Sequence, residues 1–256
     1  MSVFGQSAWN RASTIYQRKQ QLSTKQVHYG PWSPSEEELH LLGDLRGKHV
    51  LDLGCGGGQN CIAMVRQGAT VTGVDFSETQ LRYAELLVAQ QLAPALAQQL
   101  RFVHHDAEHL AEVASATIDL VVSVNTLQYV GDVARALHEC ERVLGEEGRL
   151  IFTTDHPLRS CFVDEEADEL AIYPIRSYFN DEPMRWQFPE SGAWMVSYHH
   201  TLAQWVELLA DAGFQLQRLL EPPPPADLAD ELWPLDGPLA EMRHIPQTMI
   251  VVAKKS

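Results

Sequence analysis

The run Val50-Leu51-Asp52-Leu53-Gly54-Cys55-Gly56-Gly57-Gly58-Gln59-Asn60 constrains the fold of this chain more than any other. It reads as a buried apolar strand carrying an acid near its end, broken at once by a Gly-x-Gly-x-Gly turn. Residues without Cβ let the backbone turn sharply and approach a ligand closely. A second run, Thr70-Val71-Thr72-Gly73-Val74-Asp75, reads as a neighbouring strand that also ends in an acid. Together they describe a loop that meets a nucleoside, with a carboxylate placed for its ribose hydroxyls.

The alternation of short apolar strands with helices continues. Ser33-Pro34-Ser35-Glu36 reads as a capping box in which Ser33 caps and Glu36 reaches back, with Gly43 ending the helix. A helix is expected from about Asn60 to Gln67, and another from Ser77, with Gln80 completing a second box, to about Gln90. Gln91–Gln99 reads as a broken helix or loop. Leu100–His104, Ile118–Ser123 and Gly148–Thr153 read as the third, fourth and fifth strands, with a helix over Asp132–Leu144. This pattern predicts a parallel sheet covered on both faces, with its strand ends, and so its ligand, along one edge. Residues 156–200 break the pattern with a loop-rich segment holding eight aromatics and no useful helical period. A helix capped by Thr201 and two strands, Phe214–Leu220 and Thr248–Lys254, complete the chain. We read 1–256 as one domain: an N-terminal arm over 1–32, a cofactor core over 33–155, an acceptor-pocket insertion over 156–200, and a C-terminal helix and hairpin over 201–256.

Composition excludes several classes. The formal net charge is −15, a field that repels phosphate backbones and anionic lipid, so neither nucleic acid nor membrane is expected as a partner. No apolar stretch reaches the ~18 residues of a membrane span. The four cysteines have neither Cys-x-x-Cys nor zinc spacing, so no metal is expected. Their sparse use suits reduced thiols in the cytoplasm.

The acids narrow the ligand. Gln59 stands where a dinucleotide fingerprint has its third glycine, and Asp52, two residues before the turn, is a poor neighbour for a diphosphate. It suits a ligand with an ammonium or sulfonium, and S-adenosylmethionine carries both together with a ribose. Asp75 would take the ribose hydroxyls, and Asp106, after the third strand, would face the adenine edge.

These motifs resemble the class I S-adenosylmethionine-dependent methyltransferases, in particular the branch acting on quinones, sugars and polyketides. Val50 to Gly58 is similar to the family's first motif, Val74-Asp75-Phe76-Ser77 to its second, His105-Asp106-Ala107 to its third, and Ser123-Val124-Asn125 to its fourth-strand segment. The resemblance implies a Rossmann-like α/β fold with a seven-stranded, mostly parallel sheet whose last strand is antiparallel, helices on both faces, an N-terminal lid, and the aromatic insertion after strand five. It implies cofactor contacts at Asp52, Gly54, Gly56, Gln59, Asn60, Asp75, Phe76, Gln80, Asp106, Ala107 and Asn125, with Tyr16 and Tyr29 as lid contacts. The expected reaction is methyl transfer to a small-molecule acceptor, at oxygen or nitrogen, by a monomer or homodimer.

An acceptor that arrives protonated needs a base, and histidine is suited to that near neutral pH. His156 follows the fifth strand and His199 follows the insertion, so both are candidate catalytic residues. Relatives carry Tyr-His-Arg where this chain has Tyr198-His199-His200, so that arginine's anion-gripping role does not carry over. Two alternatives stand beside this reading: a nicotinamide-dependent oxidoreductase, and a non-catalytic S-adenosylmethionine-binding adaptor.

Overall fold

A computed structural model of the protein describes residues 3–164, 169–170 and 173–256; part of the 156–200 insertion therefore lies outside the described residues. In chain order the elements are α1 (Val3–Gln20), α2 (Glu36–Leu39), β1 (His49–Leu53), α3 (Gln59–Arg66), β2 (Thr70–Asp75), α4 (Glu78–Gln91), α5 (Pro94–Ala97), β3 (Leu100–His104), β4 (Ile118–Val124), α6 (Val133–Val143), β5 (Leu144–Asp155), β6 (Val163–Asp164), β7 (Glu169–Leu170), β8 (Met184–Phe188), β9 (Ala193–Ser197), α7 (Leu202–Asp211), β10 (Phe214–Leu220), α8 (Ala226–Leu232) and β11 (Thr248–Lys255).

Side chains alternate across a strand, and both faces of the central strands are apolar, so each strand feeds two cores. Leu51, Val121, Leu150, Phe152 and Val251 pack on one face with Leu137 of α6 and Trp205 of α7. Val50, Leu120, Val122, Ile151 and Ile250 pack on the other with Ile62 and Met64 of α3. The sheet has seven strands in the order β10-β11-β5-β4-β1-β2-β3. β11 runs antiparallel to both β5 and β10, and the other neighbours pair in parallel. The expected α/β architecture is present, with β11 as the antiparallel strand.

Local chemistry sets the helix ends. Ser77 Oγ accepts from the Gln80 N–H, Asp132 caps α6 through the Arg135 N–H, and Thr201 with Gln204 makes a full box on α7. Two expectations are corrected. The first box is built by Ser35 and Glu38, two residues later than expected, and α2 ends at His40 in the left-handed region rather than at Gly43. Glu36 is drawn away because it accepts from the Tyr29 hydroxyl and the Leu41 and Leu42 N–H groups. At α4 the Gln80 side chain turns to Gln17 instead of back to its cap.

The insertion contains a hairpin that the aromatic content obscured. β8 and β9 pair antiparallel, and Ala193 and Met195 pack with Ala8 and Ala12 of α1, flanked by Trp9, Trp186 and Phe188. Its signal is present in Met184-Arg185-Trp186-Gln187-Phe188, where apolar and polar residues alternate before the turn at Pro189–Gly192. α1 and this hairpin together roof the C-terminal edge of the sheet.

Candidate active site

Strand order reverses at β1, which lies between β2 and β4, so the loops after these strands diverge and leave a crevice at their C-terminal ends. The glycine turn forms one wall. Gly54 and Cys55 donate their N–H groups to the Val74 carbonyl at 2.7 and 3.0 Å, which stitches the turn to β2. Gly54 has φ +76°, and a Cβ there would lie 2.0 Å from Thr126 Oγ1, so only glycine allows the turn to touch the loop after β4.

Two acids flank this turn. Asp75 accepts from the Gly56 N–H at 2.9 Å and the Ser77 N–H at 2.8 Å. Its carboxyl is nevertheless pushed up to about 6, because burial outweighs those bonds. Asp52 is almost wholly buried and accepts from Cys61 Sγ at 3.1 Å, and burial raises its carboxyl to about 7.

The crevice encloses a cavity of about 390 Å³, within the range of small-molecule sites. A smaller lobe of about 60 Å³ shares Tyr16, Gln20, Pro31, Gly54, Gly56, Val124 and Asn125 with it. Tyr16, Gly54, Gly56, Asp75, Phe76, Gln80 and Asn125 line the main cavity. Asp52, Gln59 and Asn60 line the lobe. Gln17 of α1 spans the turn: its Nε2 donates to Gln80 Oε1 at 2.8 Å and its Oε1 accepts from Gln59 Nε2 at 2.6 Å. Asn60 pairs with both backbone groups of His28 and ties the arm to α3. Burial and the nearby Asp75 charge push the Tyr16 hydroxyl up to about 12. Among the described residues no Lys or Arg lines the lobe, and Asp52 and Asp75 face this turn. That donor set fits a cationic nucleoside and opposes a diphosphate.

Five expected site residues fall outside the cavity. Tyr29 is fully buried in the core beneath α2, with its hydroxyl donating to Glu36 at 2.6 Å, so it cannot serve as a lid contact. Ala107 packs in the core with Val103 and Leu110. Asp106 accepts from the Glu108 N–H, and neither cavity reaches it; Gln6 of α1 bridges the rim there, bonding the Phe76 carbonyl and the His104 ring. His156 is buried with both ring nitrogens engaged: Nε2 meets Glu221 at 2.7 Å and Nδ1 accepts from the Leu158 N–H. Burial holds it below the usual histidine range despite Glu221. His199 is buried too, donating from Nε2 to the Tyr178 carbonyl at 2.8 Å, and burial lowers it likewise.

The structure supplies residues that the sequence reading missed. Asp155, one step before His156, lines the cavity because successive residues at a strand end face opposite ways. Arg159, Gln128 and Tyr129 join it, as do Trp9 and Trp32 of the arm, while Trp186 and Phe188 come from the segment expected to line the acceptor pocket. In the lobe, His28 has a buried Nδ1 with no partner among the described residues, and burial lowers the ring to about 4. Among the described residues no acidic, His or Cys group could hold a metal, and no helix is long and apolar enough to cross a membrane.

Comparison with known proteins agrees with this geometry. A family profile described as a methyltransferase domain matches residues 51–152, the span from β1 into β5. An uncharacterized protein of Haemophilus influenzae is 29% identical over 85% of each chain. The ubiquinone biosynthesis O-methyltransferase of Alkalilimnicola ehrlichii is 36% identical over 113 residues, 44% of each chain. A crystal structure of an S-adenosylmethionine-dependent methyltransferase from Mesorhizobium loti superposes with a TM-score of 0.70 at 26% identity, over 85% of this chain and 95% of that one. Over residues 51–152 the chain therefore carries a methyltransferase domain, on a seven-stranded sheet with one antiparallel strand whose fold is similar to that of a solved S-adenosylmethionine-dependent methyltransferase.

Proposed function

We propose that the protein methylates a small molecule at oxygen or nitrogen. One observation carries this reading: one cavity lies between Asp75 beside the glycine turn and the aromatic walls under the α1 and β8–β9 roof, and it adjoins the lobe that Asp52 lines. Asp75 holds the ribose hydroxyls, and Gly54, Gly56, Phe76, Gln80, Asn125 and Tyr16 form the walls around the nucleoside. Asp52, Gln59, Asn60 and His28 face the amino-acid end in the lobe.

When bound, S-adenosylmethionine supplies a methyl group on a sulfonium, whose leaving group is neutral. The protein needs no acid for that departure, so its work is alignment and exclusion of water. Orientation alone contributes roughly 7–11 kcal/mol when the geometry is right. The aromatic walls hold the acceptor against the nucleoside, and α1 shuts out solvent. Asp155 replaces His156 as the group that takes the proton of an attacking hydroxyl or amine, because it is the carboxylate at the end of β5 that faces the chamber.

Isothermal calorimetry with S-adenosylhomocysteine tests the cofactor assignment. Binding is expected for the wild-type chain and not for NADH. Asp75→Ala is expected to weaken it by about tenfold or more, since a hydrogen bond to a charged group contributes about 1.5–3 kcal/mol. Unchanged affinity in that variant would remove the ribose assignment.

A further inference from the structure

Gln128 sits on the short turn Leu127–Tyr129 after β4. Its backbone carbonyl accepts from the Tyr198 N–H at 2.7 Å, which anchors this turn to the end of the β9 segment. The side chain lines the main cavity and is only 5% exposed, yet its Oε1 has no hydrogen-bond partner among the described residues. A buried carbonyl left in this way bears the full cost of lost hydration, so it points to a donor that arrives with a ligand.

A second proton acceptor faces the same chamber. Asp155 ends β5, where it is registered against Thr248 of β11. Its carboxylate faces Arg159 Nη1 at 3.7 Å, beyond hydrogen-bond length. Arg159 is held off by its other contacts. Its Nε donates to Gln247 Oε1 at 3.1 Å, and Gln247 is itself wholly buried, with its Nε2 donating to the Met242 and Ile245 carbonyls. The guanidinium carbon also lies 5.9 Å from the ring centre of Trp32, which stacks on Trp233. Burial and the Asp155 charge both raise the Tyr129 hydroxyl well above its usual range.

The charges of the cavity wall also bear on the ligand. Among the described residues its formal charges are two carboxylates, Asp75 and Asp155, against the one guanidinium of Arg159. A ligand carboxylate would meet a wall with an excess of negative charge. The walls beside these groups are rings: Trp32, Tyr129, Trp186 and Phe188.

We propose, on top of the methyltransferase reading, that Gln128 and Asp155 select a flat, uncharged or cationic acceptor that presents two proton donors, O–H or N–H, one to each residue. Gln128 reads the donor that is not methylated, and Asp155 meets the one that is. In the transfer, the acceptor oxygen or nitrogen forms its bond to the methyl carbon. The methyl–sulfur bond breaks with its electron pair going to sulfur, and the released proton passes to the Asp155 carboxylate. Gln128 is therefore a specificity residue.

The test uses the full chain saturated with S-adenosylhomocysteine and three ring fragments followed by ligand-observed NMR: 4-aminophenol, 1,4-dimethoxybenzene and benzoate. 4-Aminophenol is expected to bind about fivefold or more tightly than 1,4-dimethoxybenzene, as a net neutral hydrogen bond provides. Benzoate is expected to bind weakest. Gln128→Leu is expected to bring the two neutral fragments within about twofold of each other while S-adenosylhomocysteine affinity holds. Gln128→Glu, which keeps an acceptor oxygen, is expected to retain the preference. Equal binding of the neutral fragments, tightest binding of benzoate, a preference that survives Gln128→Leu, or no fragment binding to the loaded protein would each overturn the proposal. Failure of S-adenosylhomocysteine to bind would instead overturn the parent reading, and this one with it.

Discussion

At the scale of single residues, burial sets the behaviour of the acids at the glycine turn. Asp75 and Asp52 hold protons up to about pH 6 and 7 because desolvation exceeds the hydrogen bonds they accept. A cationic ligand is held by the ionised forms. Affinity for S-adenosylmethionine is therefore expected to rise from about pH 5 to about pH 8, by up to about tenfold per pH unit where one ionisation is required. Asp52→Asn is expected to remove the upper part of that rise, and calorimetry across the range would expose a flat profile. The same scale shows why the end of β5 presents Asp155 rather than His156 to the cavity. Proximity in sequence marked the end of β5, but the side-chain period of two sends Asp155 to the cavity and His156 to Glu221.

At the scale of elements, the glycine turn is a packing device as well as a ligand wall. Gly54 and Gly56 both have positive φ, +76° and +53°. A Cβ at Gly54 would strike Thr126, whereas at Gly56 the nearest atom would be 3.9 Å away. Gly54→Ala is expected to cost about 2–4 kcal/mol, combining left-handed strain with overpacking, and Gly56→Ala about 1–2 kcal/mol from strain alone. Urea unfolding of the two variants measures the order, and equal losses would refute the contact argument. Strands and long helices were legible because their apolar periods are strong and their caps local. The β8–β9 hairpin was obscured by its aromatic content, and the first capping box shifted because Glu36 found partners in Tyr29, Leu41 and Leu42.

At the scale of the whole molecule, the buried ionisable groups pull stability in opposite directions with pH. Burial lowers His28 to about 4, and lowers His156, His199 and His200 as well. A histidine kept neutral by the fold stabilises it fully above the unfolded pKa near 6.5, and this contribution is lost as pH falls below that value; for His28 the loss amounts to at most roughly 3 kcal/mol. Asp52 and Asp75 act the other way, since their raised values favour the fold at acid pH and that benefit is lost as pH rises through about 6 and 7. Over about pH 6.5 to 4.5 the gain from Asp52 and Asp75 opposes the loss from the histidines, so Asp52→Asn, which removes one gain, is expected to give a thermal midpoint that falls more steeply on acidification than that of the unaltered chain. His28→Gln is expected to act the opposite way, and scanning calorimetry over the range checks both.

The sequence by itself determined the sheet, its glycine turn and the acids beside it, because periodicity, capping and glycine placement act over a few residues. Tyr16, Asp52, Gly54, Gly56, Gln59, Asn60, Asp75, Phe76, Gln80 and Asn125 line the two cavities. Tertiary structure alone decided the shape of the aromatic chamber. Its wall draws Trp9, Trp32, Gln128, Asp155, Arg159 and Trp186 from segments far apart in the chain, and only the packing of α1 and the β8–β9 hairpin over the sheet edge brings them together. Which side of a strand end faces that space is a property of register and burial, and no short motif records it.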